Sequence, residues 1–215
     1  MRTLLLGHRG ARASRHIPEN TLASFELSLQ HGCDGFEFDV RRSADGGAVI
    51  CHDPVVAGVE IGSTPAKALA LPTLELALGQ FSGRAFLDVE LKVAGLERQL
   101  VAALSKHPPQ KGYVVSSFLV EALSAVHAVD ATIPLGFLWD EANTHPPTGL
   151  PIAWLIPRID SVDRKLVEQA HAAGKKIMVW TVNRADEMQR MSEWGVDAII
   201  SDDTDLLVRT LGLRR

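Results

Sequence analysis

Short apolar runs rich in β-branched and aromatic residues recur along this chain, and most are followed by a segment with helical spacing of its apolar positions. "TLLLG" at 3–7 reads as a first strand and "NTLASFELSLQHG" at 20–32 as a first helix. Asn20 is the expected N-cap of that helix, with Pro18 ahead of it and Gly32 closing the far end. "GFEFDV" at 35–40 has the two-residue period of a strand. "AVICHD" at 48–53 follows "RRSADGG", whose Asp-Gly-Gly predicts a hairpin turn.

Beyond residue 84 the alternation becomes regular. Strands are predicted over 85–92, 113–118, 134–139, 152–157, 176–182 and 197–201, and helices over 95–107, 119–129, 162–174 and 184–195. With 48–53 set aside as a hairpin arm after strand two, eight strands remain. Eight strands, most with a helix behind, is the count of an α/β protein of the (β/α)8 TIM-barrel kind. At 215 residues this is a short form of that barrel, expected to fill 1–215 as a single domain. Residues 54–72 form the one long irregular loop.

Composition narrows the partners. The chain is 46% hydrophobic and carries a formal charge of -4, so it can bury a core and has no basic field for nucleic acid. A local cluster of Arg and Lys can still hold an anion. Cys33 and Cys51 lie in no metal-ligand spacing and are expected to be reduced thiols. The apolar run of "MRTLLLG" is too short for a secretion signal, and no window reaches the roughly 18 apolar residues of a membrane span. A cytoplasmic protein without stable membrane anchoring is expected; the oligomeric state is not readable.

In such a barrel, chemistry sits where strands end and loops begin. Strand one delivers His8 and Arg9 to that rim. Glu37 and Asp39 lie two apart and face one side, as do Asp88, Glu90 and Lys92. The hairpin is expected to fold His52 back beside Glu37. Carboxylates converging in a barrel mouth repel unless a cation neutralises them. An all-oxygen set suits one hard divalent ion, Mg²⁺ or Ca²⁺. Arg9 and Lys92 supply charge for a phosphate, and two histidines can take one proton and give another. Asp88 reads as a supporting partner within the barrel rather than a ligand. Of the other histidines, His31, His107, His127 and His171 read as surface or capping groups. His16 and His145 lie in loops, and His16 is the one placed to edge the site. Asp45-Gly46 is turn chemistry, and Trp139, Trp154 and Trp194 read as packing.

The ordered set "HRG…PENTLASF…GFEFDVRRSADGGAVICHD…LPTLE…VELK…VSSF…WTVN…GVDAIISD" resembles the glycerophosphodiester phosphodiesterase family over nearly the whole chain. The resemblance implies a (β/α)8 barrel that uses a divalent metal. It implies cleavage of a small-molecule glycerophosphodiester into glycerol 3-phosphate and an alcohol. By that resemblance His8 and His52 are the general acid/base pair, and Glu37, Asp39 and Glu90 the metal ligands. Arg9 and Lys92 face the phosphate, Trp180 lines the substrate mouth, and Glu19 supports the site from behind. Gly10 lets the chain turn away at close quarters. Two departures stand out. Only "PVVAGVEIGSTPAKALA" separates His52-Asp53 from "LPTLE", where many relatives carry a longer insertion that contacts the leaving alcohol. "SDDTD" also lacks the usual proline, which reads as a loop change. A lysophospholipase-D-like or sphingomyelinase-D-like activity on single-chain lipids would need an apolar track, for which 54–72 is the candidate. A barrel that only binds phosphate esters would have lost a histidine or a carboxylate, and all are present.

Overall fold

The computed structural model describes residues 2–140 and 147–212. Eight parallel strands close into a barrel. They are β1 (Leu4–Gly7), β2 (Gly35–Arg42), β6 (Phe86–Leu91), β7 (Tyr113–Ser117), β8 (Leu135–Trp139), β9 (Ile152–Pro157), β10 (Lys176–Val179) and β11 (Ala198–Ser201). Each pairs with its neighbour in chain order, and β1 closes the ring by pairing with both β2 and β11. A short β3 (Ala48–Ile50) runs antiparallel along β2, with Val40 opposite Ile50. Beyond it, β4 (Val55–Val56) and β5 (Val59–Glu60) form a separate two-stranded hairpin.

Helices α1 (Leu22–His31), α2 (Leu74–Phe81), α3 (Glu97–Lys106), α4 (Val120–Val129), α5 (Arg164–Ala172), α6 (Ala185–Trp194) and α7 (Thr204–Leu211) surround the barrel. The main core lies between these helices and the outer face of the sheet, where Phe25 stacks on Phe36 with ring centroids 4.3 Å apart. A smaller core fills the barrel floor with Leu6, Phe86, Val114, Trp154, Met178 and Ile200 among others. Trp139 and Trp154 are buried packing residues, and Trp194 packs against the main core under the Arg190 guanidinium. Both cysteines are free and buried; burial pushes the Cys33 thiol up to about 12. Among the described residues no helix is long and apolar enough to cross a membrane.

Several elements differ from the sequence reading. The N-cap of α1 is Thr21, whose hydroxyl accepts the Ser24 N–H, and not Asn20. The structure adds α2 and α7, neither expected from the pattern, and each is capped by a side chain, Thr73 and Asp203. β10 ends at Val179 rather than 182; beyond it Trp180 makes a lone bridge to Arg158, and the Val182 N–H donates to the Ile200 carbonyl at 2.9 Å. His145 lies outside the described residues. His31 holds the Thr204 hydroxyl and His171 holds Asp197, while His107 caps α3. His16 is exposed and does not line the cavity described below.

Candidate active site

The period-two pattern of β2 decides what enters the barrel. Phe36, Phe38 and Val40 face outward into the helical core, which leaves Glu37 and Asp39 facing inward. The β2–β6 register sets Glu37 beside Asp88 and Asp39 beside Glu90. All four carboxylates are buried. Oxygens of Glu37, Asp39 and Glu90 lie within 4.8 Å of one another.

The loop after β1 wraps these acids with cations. The Arg9 backbone N–H donates to Glu37 Oε2 at 3.0 Å, its Nε lies 3.1 Å from Asp39 Oδ2, and its Nη1 donates to Glu19 at 2.7 Å. Glu19 also takes Arg12. Arg9 itself is left-handed, at φ 52, and Gly10 follows at φ 82. A Cβ on Gly10 would come 2.6 Å from the Ser24 backbone, so only glycine lets the loop lie this close to α1. On the other side, the Lys92 ammonium sits 2.6 Å from Glu90 and 3.6 Å from Asp39, and 5.8 Å over the Phe118 ring.

These surroundings split the acids. Burial would raise Asp39, but Arg9, Lys92 and the Asn20 amide outweigh it and hold its carboxyl below the usual range. Burial, with Asp39, Glu90 and Asp88 as like charges, drives Glu37 well above that range. Burial and then Asp39 push Glu90 up to about 8, against the pull of Lys92. Asp88 rises to about 7, chiefly through burial, while its Oδ1 accepts the Ser116 hydroxyl at 2.6 Å.

The two histidines complete the ring. His8 Nδ1 lies 2.7 Å from Asp202 Oδ1, and its Nε2 is 3.9 Å from Glu37. Burial alone would raise Asp202; its bonds from His8, Asn183 and Arg12 instead hold it far below the usual carboxylate range. An ionised acceptor at that distance keeps the His8 proton on Nδ1 and leaves Nε2 free. His52 is placed by β3, with its carbonyl held by Arg41 and its Nδ1 2.7 Å from Asp53. Burial lowers its pKa, against the pull of Asp53 and then Asp39. The acid whose charge His52 feels within the site is thus Asp39.

Six of these groups border one cavity of about 240 Å³, with Asp39 buried behind them. His8, Arg9, Glu37, His52, Glu90 and Lys92 line one part; Phe118, Leu138, Trp180 and Ile200 line the other. The Trp180 indole donates to the Ile156 carbonyl at 3.0 Å and meets Phe118 edge-on, which fixes the ring. Glu37 Oε1 and Asp39 Oδ1 are buried and accept no hydrogen bond. Unpartnered buried carboxylate oxygens gathered this closely fit a hard cation, so the cluster can hold a metal.

The family model of the glycerophosphoryl diester phosphodiesterase family matches residues 8–97 and 85–206, taking in every residue of this cavity. The chain belongs to that family. It is an enzyme of the phosphoric diester hydrolase class. A glycerophosphodiester phosphodiesterase from Caldanaerobacter subterraneus subsp. tengcongensis is 29% identical over 97% of each chain. Another, from Bacillus subtilis, is 26% identical over 95% of this chain and 85% of its own. Among solved structures, an Oleispira antarctica phosphodiesterase in complex with the product sn-glycerol-3-phosphate is 28% identical, with a TM-score of 0.84 over 98% of this chain and 97% of its own. A Parabacteroides distasonis glycerophosphodiester phosphodiesterase shares the fold, with a TM-score of 0.87 at 24% identity over 99% of this chain and 98% of its own.

Of the ten residues that line the cavity, seven are legible in the sequence and Phe118, Leu138 and Ile200 are not; three polar residues behind the lining are missed as well. Asn20, assigned to a helix cap, instead donates to Asp39 at 2.8 Å. Asp202 and Asn183 were not collected, although both stand just beyond a strand end, where the rim rule applies.

Proposed function

We propose that this chain is a metal-dependent glycerophosphodiester phosphodiesterase that releases glycerol 3-phosphate and an alcohol. One observation carries the reading: three buried carboxylates gather their oxygens within 4.8 Å of one another, and two of them, Glu37 and Glu90, line a cavity with two cations and two histidines. The product-bound Oleispira relative supports the substrate class. Glu37, Asp39 and Glu90 hold the ion, Mg²⁺ or Ca²⁺. Such an ion supplies Lewis-acid polarisation of a phosphoryl oxygen and lowers the pKa of a bound hydroxyl. The protein does the rest. Lys92 and Arg9 set positive charge against the phosphate. His8 and His52, each with Nδ1 engaged by a carboxylate, exchange protons through Nε2, one taking a proton from the attacking hydroxyl and the other giving one to the leaving alkoxide. Trp180 and Phe118 offer carbon surface to the glycerol, and Glu19 keeps Arg9 in place.

The test is a turnover screen of several glycerophosphodiesters with Mg²⁺, Mn²⁺ and Ca²⁺ in parallel, scored as glycerol 3-phosphate released. At least one diester is expected to turn over with an added ion and none in excess chelator. Undiminished activity in chelator would remove the metal from the mechanism. A second reading, cleavage of single-chain lysophospholipids, is favoured by the exposed Val55, Val56 and Val59 on the hairpin just beyond His52. Including a lysophosphatidylcholine in the same screen decides it.

A further inference from the structure

Two asparagines in this molecule grip an aspartate in the same manner. Asn183 donates its amide N–H to Asp202 Oδ2 at 2.7 Å and accepts the Asp202 backbone N–H at 2.9 Å. Asn20 donates to Asp39 Oδ2 at 2.8 Å and accepts the Asp39 backbone N–H at 3.3 Å. The first grip fixes the carboxylate that holds His8. The second acts on a member of the acidic cluster.

Asn20 is no part of α1, whose cap is Thr21. It is 5% exposed and stands at φ 56, a left-handed conformation that residues other than glycine adopt at a cost and that persists where the surroundings demand it. The surroundings here are Arg9 and Asp39. The Asn20 backbone N–H donates to the Arg9 carbonyl at 3.0 Å, while the Arg9 N–H donates to Glu37 Oε2 at 3.0 Å. The outcome is a division of oxygens. On each of Glu37 and Asp39 this loop engages one oxygen, Oε2 and Oδ2. The other, Oε1 and Oδ1, is left buried without a hydrogen bond. A carboxylate with one oxygen fixed by an amide loses its freedom to rotate, and the second oxygen then has one direction to face.

We infer that Asn20 is a positioning residue for the cation site: it engages Oδ2 and the backbone of Asp39 so that Oδ1 is presented to the metal. The inference rests on Glu37, Asp39 and Glu90 being the cation ligands, and the experiment separates the two ideas. Mn²⁺ affinity is measured calorimetrically on the full chain after chelation and desalting, alongside the melting temperature of the metal-free form. Asn20→Gly removes the amide and keeps the left-handed backbone without strain. It is expected to weaken Mn²⁺ binding by about 10- to 100-fold, the usual effect of removing such a supporting contact. Thr21→Ala, which removes the neighbouring helix cap, is expected to lower the melting temperature and leave Mn²⁺ affinity unchanged. Asn20→Ser is a second variant with the same expected loss, should the glycine variant fail to fold. Wild-type affinity in either folded Asn20 variant, with Asp39→Asn impaired, would overturn the inference and leave the metal site standing. Wild-type affinity in Asp39→Asn would move the ion off this cluster and overturn both.

Discussion

His8 and His52 each hold a carboxylate at Nδ1, but the two carboxylates are not equally fixed. Asp202 is 20% exposed at its side chain and is itself bound by Asn183 and Arg12, whereas the Asp53 side chain is 69% exposed. The first imidazole is therefore held in one tautomer and one orientation more firmly than the second. His8→Ala and His52→Ala are each expected to lower kcat by roughly 10²- to 10⁴-fold. The double variant is expected to lose far less than the product of the two, the outcome for a pair that acts as a unit. Asp202→Ala should fall between His8→Ala and Asp53→Ala. Equal losses at Asp202 and Asp53, measured at saturating substrate, would show that the firmer grip does not matter. His127→Ala, on the outer helix α4, serves as the control with unchanged turnover. These residues also show what a sequence can and cannot reveal. The strand-end acids and the first histidine were legible because period two and the rim rule point at them directly. Asn20 was not, since a local capping rule gave the same residue a sufficient reason to be there. Asp202 meets His8 across 194 positions, a contact that only barrel closure creates.

The strand β2 has one face in each environment, and the outer face supports the inner one. Phe36 is fully buried, stacked on Phe25 and edge-on to Phe81 at 5.1 Å. Phe36→Ala is expected to cost about 3–5 kcal/mol in urea unfolding, the range for a buried aromatic truncated in a packed core. Gly35, at the start of the strand, has no room to change: a Cβ there would stand 1.8 Å from the Phe86 carbonyl oxygen across the β2–β6 pairing. The register that aligns Asp39 with Glu90 depends on that close approach. The barrel strands were legible because each is a short apolar run between polar segments. Helices α2 and α7 were not, since eight residues make barely two turns, fewer than a periodic window needs to be decisive. Their caps were the available signal. Thr73→Ala should therefore lower stability by about 1 kcal/mol while leaving turnover intact.

At the level of the molecule, the buried acids set how stability depends on pH. Without a cation, Glu90 titrates near 8 and Asp88 near 7, both above the value of about 4 for a carboxylate in an unfolded chain. The folded state then binds these protons more tightly than the unfolded state. The stability they confer is present below the unfolded value and is lost as pH rises through about 7 and 8. Calorimetry in chelator should show the melting temperature falling from about pH 5 to about pH 8 and levelling off above, and a saturating divalent ion should raise it most at the alkaline end. Glu90→Gln should raise the metal-free melting temperature at alkaline pH while weakening metal binding. Identical profiles with and without chelator would mean that no ion relieves this cluster.

The seam between β1 and β11 also dates the pocket within the life of the chain. All three clustered carboxylates, both histidines, Arg9 and Lys92 lie in the first 92 residues, whereas the closing strand begins at Ala198 and the acid that holds His8 is Asp202. On the ribosome, the nascent polypeptide carries these acids on an open sheet while roughly a hundred further residues are added, about 5 to 20 seconds at ordinary elongation rates. A chain cut before Ala198 would carry the clustered acids without the strand that closes the ring or the acid that holds His8, and is expected to release no glycerol 3-phosphate in the turnover screen.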